Sequence, residues 1–212
     1  MIRYFTIILA LVFSALTAPA SAHPHVWVTM QSQLVYAPDG TVTGIRHAWT
    51  FDDVFSTYAT QGIAQKTKGK FTREELHTLA KENVDSLQEY GFFNYAFIDG
   101  GRRKDAFAAP ADYWLDYEND ALTLNFTLPF KTPVKAKELR IDIHDPEFFV
   151  NFEFADKDPV KLANAPAACT FTVIKPNDNK FSIQRLDKSF TESNINEGMG
   201  AHYGSKIAVK CP

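Results

Sequence analysis

Hydrophobic and polar positions alternate from residue 26 onward. Val26, Val28 and Met30 are apolar with Trp27 and Thr29 between them, which is the period-two pattern of a β-strand. A turn signal ending in Asp-Gly follows at 37–40, and the stretch 41–51 has the character of a returning strand. We therefore predict an antiparallel hairpin in which residue 25 lies opposite residue 52 or 53.

The stretch from residue 72 to residue 90 has the spacing of an amphipathic helix. Its apolar positions are Leu76, Leu79, Ala80, Val84, Leu87 and Tyr90. Thr72 stands three residues before Glu75, as in a capping box, and Gly91 is a good helix stop. The spacing predicts one long helix, in which His77 is a surface or boundary residue. Residues 51–63 are expected to form a short helix or a loop.

The remaining patterned segments are short strands separated by turn residues. We predict three hairpins: one from 93–98 with its turn at 99–101, one from 112–117 with 121–128, and one from 138–144 with 148–154. Two further strands are predicted at 169–174 and 206–211. A helix is predicted within 180–193. The fold class is therefore α+β, an antiparallel β-sheet or sandwich with one long helix.

The first 22 residues have the composition of a secretory signal peptide. Arg3 precedes an apolar run from 5 to 16, and an Ala-x-Ala cleavage signal ends at Ala22. The run is shorter than a bilayer requires, although an uncleaved anchor is the alternative. The remaining residues, 23–212, suit one domain. We expect an exported, periplasmic protein that is soluble and has no membrane span of its own.

Two cysteines, Cys169 and Cys211, occur in the chain. In an oxidising compartment an even pair favours a disulfide, which would tie the C-terminus to the domain. A thiolate metal site is the alternative, although the pair lacks CxxC spacing. The hydrophobic content of 45% is that of a folded protein, and the net charge of -3 gives no reason to expect nucleic acid as a partner.

Cleavage after Ala22 would make His23 the first residue of the mature chain. Its α-amine and imidazole, with the imidazole of His25, then form a candidate clip for a metal ion. Pro24 has no amide hydrogen, which argues against the amino-terminal copper motif that needs ionised amides. A solvated terminus with two unused histidines is the alternative.

Other candidate metal ligands lie further along the chain. His47 is on the returning strand, but a straight hairpin places it roughly 20 Å from His25. Only a bulge, a register change or a folded-back N-terminus would shorten that distance. Asp52 is a candidate ligand and also a candidate helix N-cap. Asp145 is a candidate ligand that could equally serve to form a turn, and His144 beside it is a further possibility. Imidazole with one carboxylate suits Zn²⁺ first, then Ni²⁺, Co²⁺ or Cu²⁺.

Several motifs in order resemble one family. HPHVWV, GIRHAWTFDD, GKFTREEL, LAKENVDSL, ADYWLDY, LTLNFTLPF and HDPEFFVNFEF, followed by a late cysteine, resemble the DUF1007 family. The resemblance implies a periplasmic component of an uncharacterised transport system. It also implies association with an inner-membrane metal permease of the nickel/cobalt type, with zinc uptake in some members.

One segment departs from that family's pattern. Members often carry a calcium-loop-like DxDGDGxFxxEE before the long helix, where this chain has AQKTKGKFTREE at 64–75. Gly69 and Glu75 remain, but Lys66 and Lys68 occupy positions where a calcium loop needs oxygen ligands. We expect no calcium at 64–75.

The sequence therefore supports a periplasmic binding protein for a divalent transition metal, zinc, nickel or cobalt, that is an accessory to a permease and not an enzyme. One alternative is a metal-free interaction domain of the cell envelope. Another is a copper enzyme of the histidine-brace type, suggested by a mature N-terminal histidine.

Overall fold

The computed structural model describes residues 24–110, 112–176 and 199–212, without the side chains of Met199 and His202. The predicted signal peptide, His23 and the predicted helix within 180–193 lie outside these residues. The strands are β1 Val26–Tyr36, β2 Val42–Phe51, β3 Asn94–Ile98, β4 Gly101–Arg103, β5 Tyr113–Glu118, β6 Ala121–Val134, β7 Glu138–Ile143, β8 Val150–Phe154, β9 Val160–Ala163, β10 Thr170–Ile174 and β11 Ser205–Lys210. The α-helices are α1 Asp53–Ala59 and α2 His77–Glu89.

The larger sheet has the order β5-β6-β2-β1-β8, with β9 also paired to β1. The predicted β1–β2 hairpin is confirmed, since Val28 pairs with Phe51 and Met30 with Trp49. Both β8 and β9 run parallel to β1. This sheet is therefore mixed, and the prediction of an antiparallel sheet was wrong at this edge. The alternation of side chains along a strand is the same in both directions, so it cannot report strand direction.

The smaller sheet has the order β10-β11-β7-β3-β4, and all its pairs are antiparallel. The predicted β3–β4 and β5–β6 hairpins are confirmed. The two strands predicted at 169–174 and 206–211 are also confirmed as β10 and β11, and the structure shows that they pair with each other. The predicted hairpin of β7 with β8 is wrong. The chain leaves the smaller sheet after β7, crosses over residues 144–149, and enters the larger sheet at β8.

The core lies between the inward faces of the two sheets. Alternate residues of the central strands are buried there, as the period-two pattern predicts. Its largest fully buried side chains are Trp49, Met30, Leu34, Ile45, Leu76, Leu115, Leu122, Leu124, Leu128, Ile141, Ile143 and Ile207. Each such aliphatic side chain stabilises the fold by about 1.5–3 kcal/mol relative to its exposure.

Helix α2 packs its Ala80 and Val84 face into this core. It begins at His77 and so is shorter than predicted, because the capping-box pair closes a turn just before it. Thr72 donates its backbone N–H to the Glu75 carboxylate at 2.7 Å, and Glu75 donates its own to the Thr72 hydroxyl at 3.3 Å. His77 is exposed, as predicted.

The predicted disulfide between Cys169 and Cys211 is confirmed. It joins the chain just before β10 to the chain just after β11, so it fastens the C-terminal strand to the edge of the smaller sheet. Within the described ranges, neither the length nor the hydropathy of any helix is sufficient for a membrane span.

Candidate functional site

Three of the predicted ligands come to one end of the larger sheet, where β1 begins, β2 ends and β8 begins. His25 is exposed and donates its backbone N–H to the Phe149 carbonyl at 2.8 Å. The two rings stack with centroids 4.6 Å apart. His25 is therefore held at the entry to β1 and presents its imidazole at the surface.

Asp52 lies beside the start of β1 and caps helix α1. Its Oδ1 accepts the N–H of Phe55 at 2.8 Å, and its Oδ2 accepts the N–H of Trp27 at 2.8 Å. The helix-cap interpretation of Asp52 is thus correct. Each carboxylate oxygen has about two acceptor positions, so the capping bonds do not use the full capacity of the group.

Asp145 is buried and organises the turn that enters β8. Its Oδ1 accepts the N–H of Glu147 at 3.0 Å, while Oδ2 accepts those of Phe149 and Val150 at 2.9 and 3.0 Å. Three backbone donors therefore converge on one carboxylate. The arrangement makes Asp145 the group that fixes Phe149, the ring against which His25 stacks.

The structure places His47 elsewhere, in the core between the sheets. It pairs with Ser32 across the β1–β2 hairpin, and its Nδ1 lies 2.9 Å from the Ser32 hydroxyl. Ser32 is seven residues from His25, which is about 24 Å along a strand. The register shift in this hairpin occurs near its turn, at Val35 and Tyr36, so it does not shorten that distance. His47 and His25 are not brought together.

The surroundings of His47 keep its imidazole neutral. It contacts the rings of Trp49 and Phe126 at centroid distances of 5.3 and 5.0 Å. Burial lowers the pKa of His47 from 6.5 to about 3, and the side-chain amide of Asn94 is a smaller influence in the opposite direction. Among the residues that the structure describes, no group is placed to hydrogen-bond His47 Nε2, Trp49 Nε1 or Asn94 Oδ1, all of which are buried. His47 is therefore a polar core residue.

His144 is also buried, but on the far side of the smaller sheet. Its ring stacks on that of Tyr95 at 4.3 Å, and its pKa is lowered to about 3, first by burial and then by nearby Lys206, Arg102 and Arg140. Arg140 and Lys206 both form ion pairs with the buried carboxylate of Asp142, at 2.7 and 3.7 Å. Adjacency to Asp145 in sequence therefore does not make His144 a partner of the His25 end.

The described residues do not by themselves complete a metal site. Among them, no three His, Cys, Asp or Glu side chains are grouped closely enough to hold an ion. At the His25 end they contribute one exposed imidazole, that of His25, and the neighbouring carboxylate of Asp52.

In the segment 64–75, backbone N–H groups donate hydrogen bonds to side chains of the same segment. The Glu75 carboxylate accepts the N–H of Lys66 at 2.8 Å as well as that of Thr72, and the Gln65 side chain accepts the N–H of Gly69 at 2.8 Å. Gly69 has a φ of 75°, a conformation that favours glycine. The segment shapes the approach to α2.

Sequence reasoning missed the aromatic character of the His25 end. Large apolar side chains are exposed here, among them Trp27, Val54, Tyr58, Tyr90 and Phe149. An apolar cavity of about 390 Å³ opens beside them, lined in part by Val26, Phe55, Tyr90 and Phe149. The strand pattern placed Trp27 on the face opposite Val26 and Val28, but the aromatic residues at this end come from segments distant in the sequence.

Comparison with known proteins gives a family and a weak structural likeness. A family described as "Protein of unknown function (DUF1007)" matches residues 8–211. No curated protein matches the chain. Among solved structures, acetylcholine-binding protein type 1 of Biomphalaria glabrata aligns over 98% of this chain and 97% of its own, with 11% identity and a TM-score of 0.33.

Proposed function

This chain belongs to the DUF1007 family, and we propose that it is an exported protein that captures a divalent transition-metal ion at its mature amino terminus. The ion is Zn²⁺, Ni²⁺, Co²⁺ or Cu²⁺. The protein then passes the ion to an inner-membrane metal permease of the nickel/cobalt type, and it performs no catalysis itself.

The observation that carries this proposal is the position of His25. Its imidazole is exposed at the first turn into β1, while its backbone is fixed by the hydrogen bond to Phe149. One ligand is thereby held in place on a rigid strand. A terminus that begins two residues earlier would place a second imidazole and an α-amine within reach of the same ion.

The ligand set we propose is therefore His23 and His25, with the α-amine of His23 and the carboxylate of Asp52 available to complete it. Nitrogen ligands with one carboxylate suit Zn²⁺ and the late first-row divalent ions. His47 is left out because it is buried in the core. Asp145 acts indirectly, through its three backbone hydrogen bonds that position Phe149.

A protein that passes its ion to another protein needs a site from which the ion is easily released. An ion held by a chain terminus can be released through rearrangement of a few residues, with no disturbance of the sheet. The site also lies at the surface, where a receiving protein can approach. The permease as receiver rests on the family resemblance.

The test is isothermal titration of the mature protein, beginning at His23, with Zn²⁺, Ni²⁺, Co²⁺ and Cu²⁺. We expect one ion per chain and a loss of affinity of about tenfold or more in His23→Ala and in His25→Ala. His77→Ala removes an exposed histidine from α2 and is the matched control, with no expected change. Binding weaker than about micromolar to every ion would refute the proposal.

A second variant tests the role of the α-amine. One alanine placed before His23 moves the amine away from both imidazoles. A loss of affinity comparable to that of His23→Ala would assign the amine as a ligand. Unchanged affinity would leave the two imidazoles and Asp52 as the ligand set.

The exposed aromatic side chains favour a second candidate, a metal-free interaction domain. Trp27 and Tyr58 are 50% and 72% exposed at the same end of the molecule. Aromatic residues are enriched at protein interfaces. If the titrations show no ion binding and Trp27→Ala with Tyr58→Ala abolishes a partner interaction in the envelope, this second function replaces the first.

A further inference from the structure

A second cavity lies at the edge of the smaller sheet, away from the His25 end. Its volume is about 440 Å³, and it is lined by the β3–β4 hairpin, the segment 104–109 and Lys131 of β6. Two backbone hydrogen bonds fix the segment against β6, from Lys131 N–H to Ala106 at 2.9 Å and from Ala108 N–H to Pro129 at 2.9 Å. The segment that lines this cavity is therefore held against a strand of the larger sheet.

The charge of this cavity is opposite to that of the whole chain. Four cationic side chains line it, Arg102, Arg103, Lys104 and Lys131, against the single carboxylate of Asp105. The full chain has a net charge of -3. Positive charge is therefore concentrated at one concave place on a protein that is otherwise slightly acidic.

The one carboxylate in the lining pairs with Lys131 and with neither Arg103 nor Lys104. Asp105 pairs with Lys131 at 2.5 Å. Over the described part of the chain, Arg103 and Lys104 have no ion-pair partner. The Arg102 guanidinium lies over the Tyr95 ring at 5.0 Å.

A purely structural explanation covers only part of this arrangement. Cations on an edge strand such as β4 discourage pairing with another chain. That function does not require a cavity, and it does not account for Lys131, which comes from the larger sheet. Side chains from both sheets converge on one space that has an apolar floor of Phe92 and Phe107.

We propose that this cavity binds a phosphate group. Arginine presents a planar fork of donors that matches oxyanions, and lysine adds a flexible point charge. The volume accommodates a phosphate with a small organic group attached. Two sources share this chemistry, a soluble phosphate compound and the headgroup of an anionic phospholipid. The proposal does not depend on metal binding at the His25 end.

The test is titration of the full mature protein with inorganic phosphate and, separately, sedimentation with vesicles of phosphatidylglycerol or of phosphatidylcholine. Arg103→Gln combined with Lys104→Gln should weaken binding about tenfold or more, since it removes two unpaired cations. The matched control is Lys68→Gln with Lys70→Gln, two exposed lysines that precede α2, whereas the cavity lies beside the C-terminal end of that helix. The control should change binding by less than about twofold.

Saturable phosphate binding that is lost in the cavity variant and kept in the control supports a soluble ligand. Binding to phosphatidylglycerol vesicles without binding of inorganic phosphate supports the lipid headgroup. Equal loss in both variants, or no binding to either probe, overturns the proposal. All four substituted side chains are exposed, so melting temperatures of the variants should match that of the wild type.

Discussion

His25 and His47 belong to the same hairpin, yet their surroundings are opposite. His25 lies at the open end of β1, exposed and stacked on Phe149. His47 lies in the middle of β2, buried and bonded to Ser32. The comparison shows that a histidine in a family-like motif can be a packing residue, and that its position within the sheet decides which chemistry it can perform.

The largest expected effect on stability is that of removing the buried imidazole of His47. His47→Ala should lower the free energy of unfolding by about 3 kcal/mol, because it leaves a cavity against Trp49 and an unpaired Ser32 hydroxyl. Urea denaturation measures the change. Metal affinity should stay at the wild-type value. A fall in metal affinity with preserved stability would return His47 to the ligand set.

The second effect is a pH dependence that follows from the same burial. Unfolded histidine binds a proton with its ordinary pKa of 6.5, whereas folded His47 does so only near a pKa of about 3. The unfolded state therefore binds more protons as pH falls through 6.5. Stability is full above that pH and decreases toward pH 3.

Between pH 7 and pH 5 we expect His47 to reduce the free energy of unfolding by about 2 kcal/mol. His144, whose pKa is also lowered to about 3, adds a change of the same sign. Urea titrations at the two pH values measure the loss. His47→Gln should show a smaller pH dependence than the wild type, and an identical dependence would contradict the assignment.

A smaller effect is expected at the cap that adjoins His25. Asp52→Ala removes the acceptor for the N–H groups of Phe55 and Trp27 and should cost about 1 kcal/mol. Asp52→Asn keeps an acceptor and should cost less. Thermal melts of the two variants check this order. A loss of metal affinity in Asp52→Asn, which stays folded, would identify the carboxylate as a ligand.

The smallest effect on stability is expected at His25 itself. His25→Ala should change the free energy of unfolding by less than about 0.5 kcal/mol, because the side chain is exposed and its backbone hydrogen bond remains. This is the converse of His47→Ala, which affects stability and spares binding. A destabilisation as large as that of His47→Ala would make His25 a structural residue and would weaken the metal proposal.

Local patterns in the sequence predicted the elements well. The alternation around Val28 and the Asp-Gly turn predicted the first hairpin, and the helical spacing after Leu76 predicted the longer helix, because each depends on neighbouring residues. The Thr72–Glu75 pair forms as predicted, but in the turn before that helix. The hairpin register also placed residue 25 near Asp52, close to the observed pairing of Val28 with Phe51. The disulfide followed from the number of cysteines and the expected compartment.

The basic cavity shows why a site can escape sequence reasoning. The run Arg102, Arg103 and Lys104 was visible, but a net charge of -3 gave no reason to weigh it. Lys131 enters the same space from a strand of the other sheet. No local spacing relates residues that meet only through packing.

The periodicity of apolar residues and the turn chemistry were enough to predict most strands and turns, but not β9 or the first residue of α2. Which strands pair across long separations, and therefore the division of β7 and β8 between two sheets, depended on the packing of the whole chain. That packing also decided that His47 faces the core, while His25 faces solvent. The physical reason is that burial and electrostatic environment are set by contacts between distant segments, and these contacts determine whether an imidazole is a ligand or part of the packing.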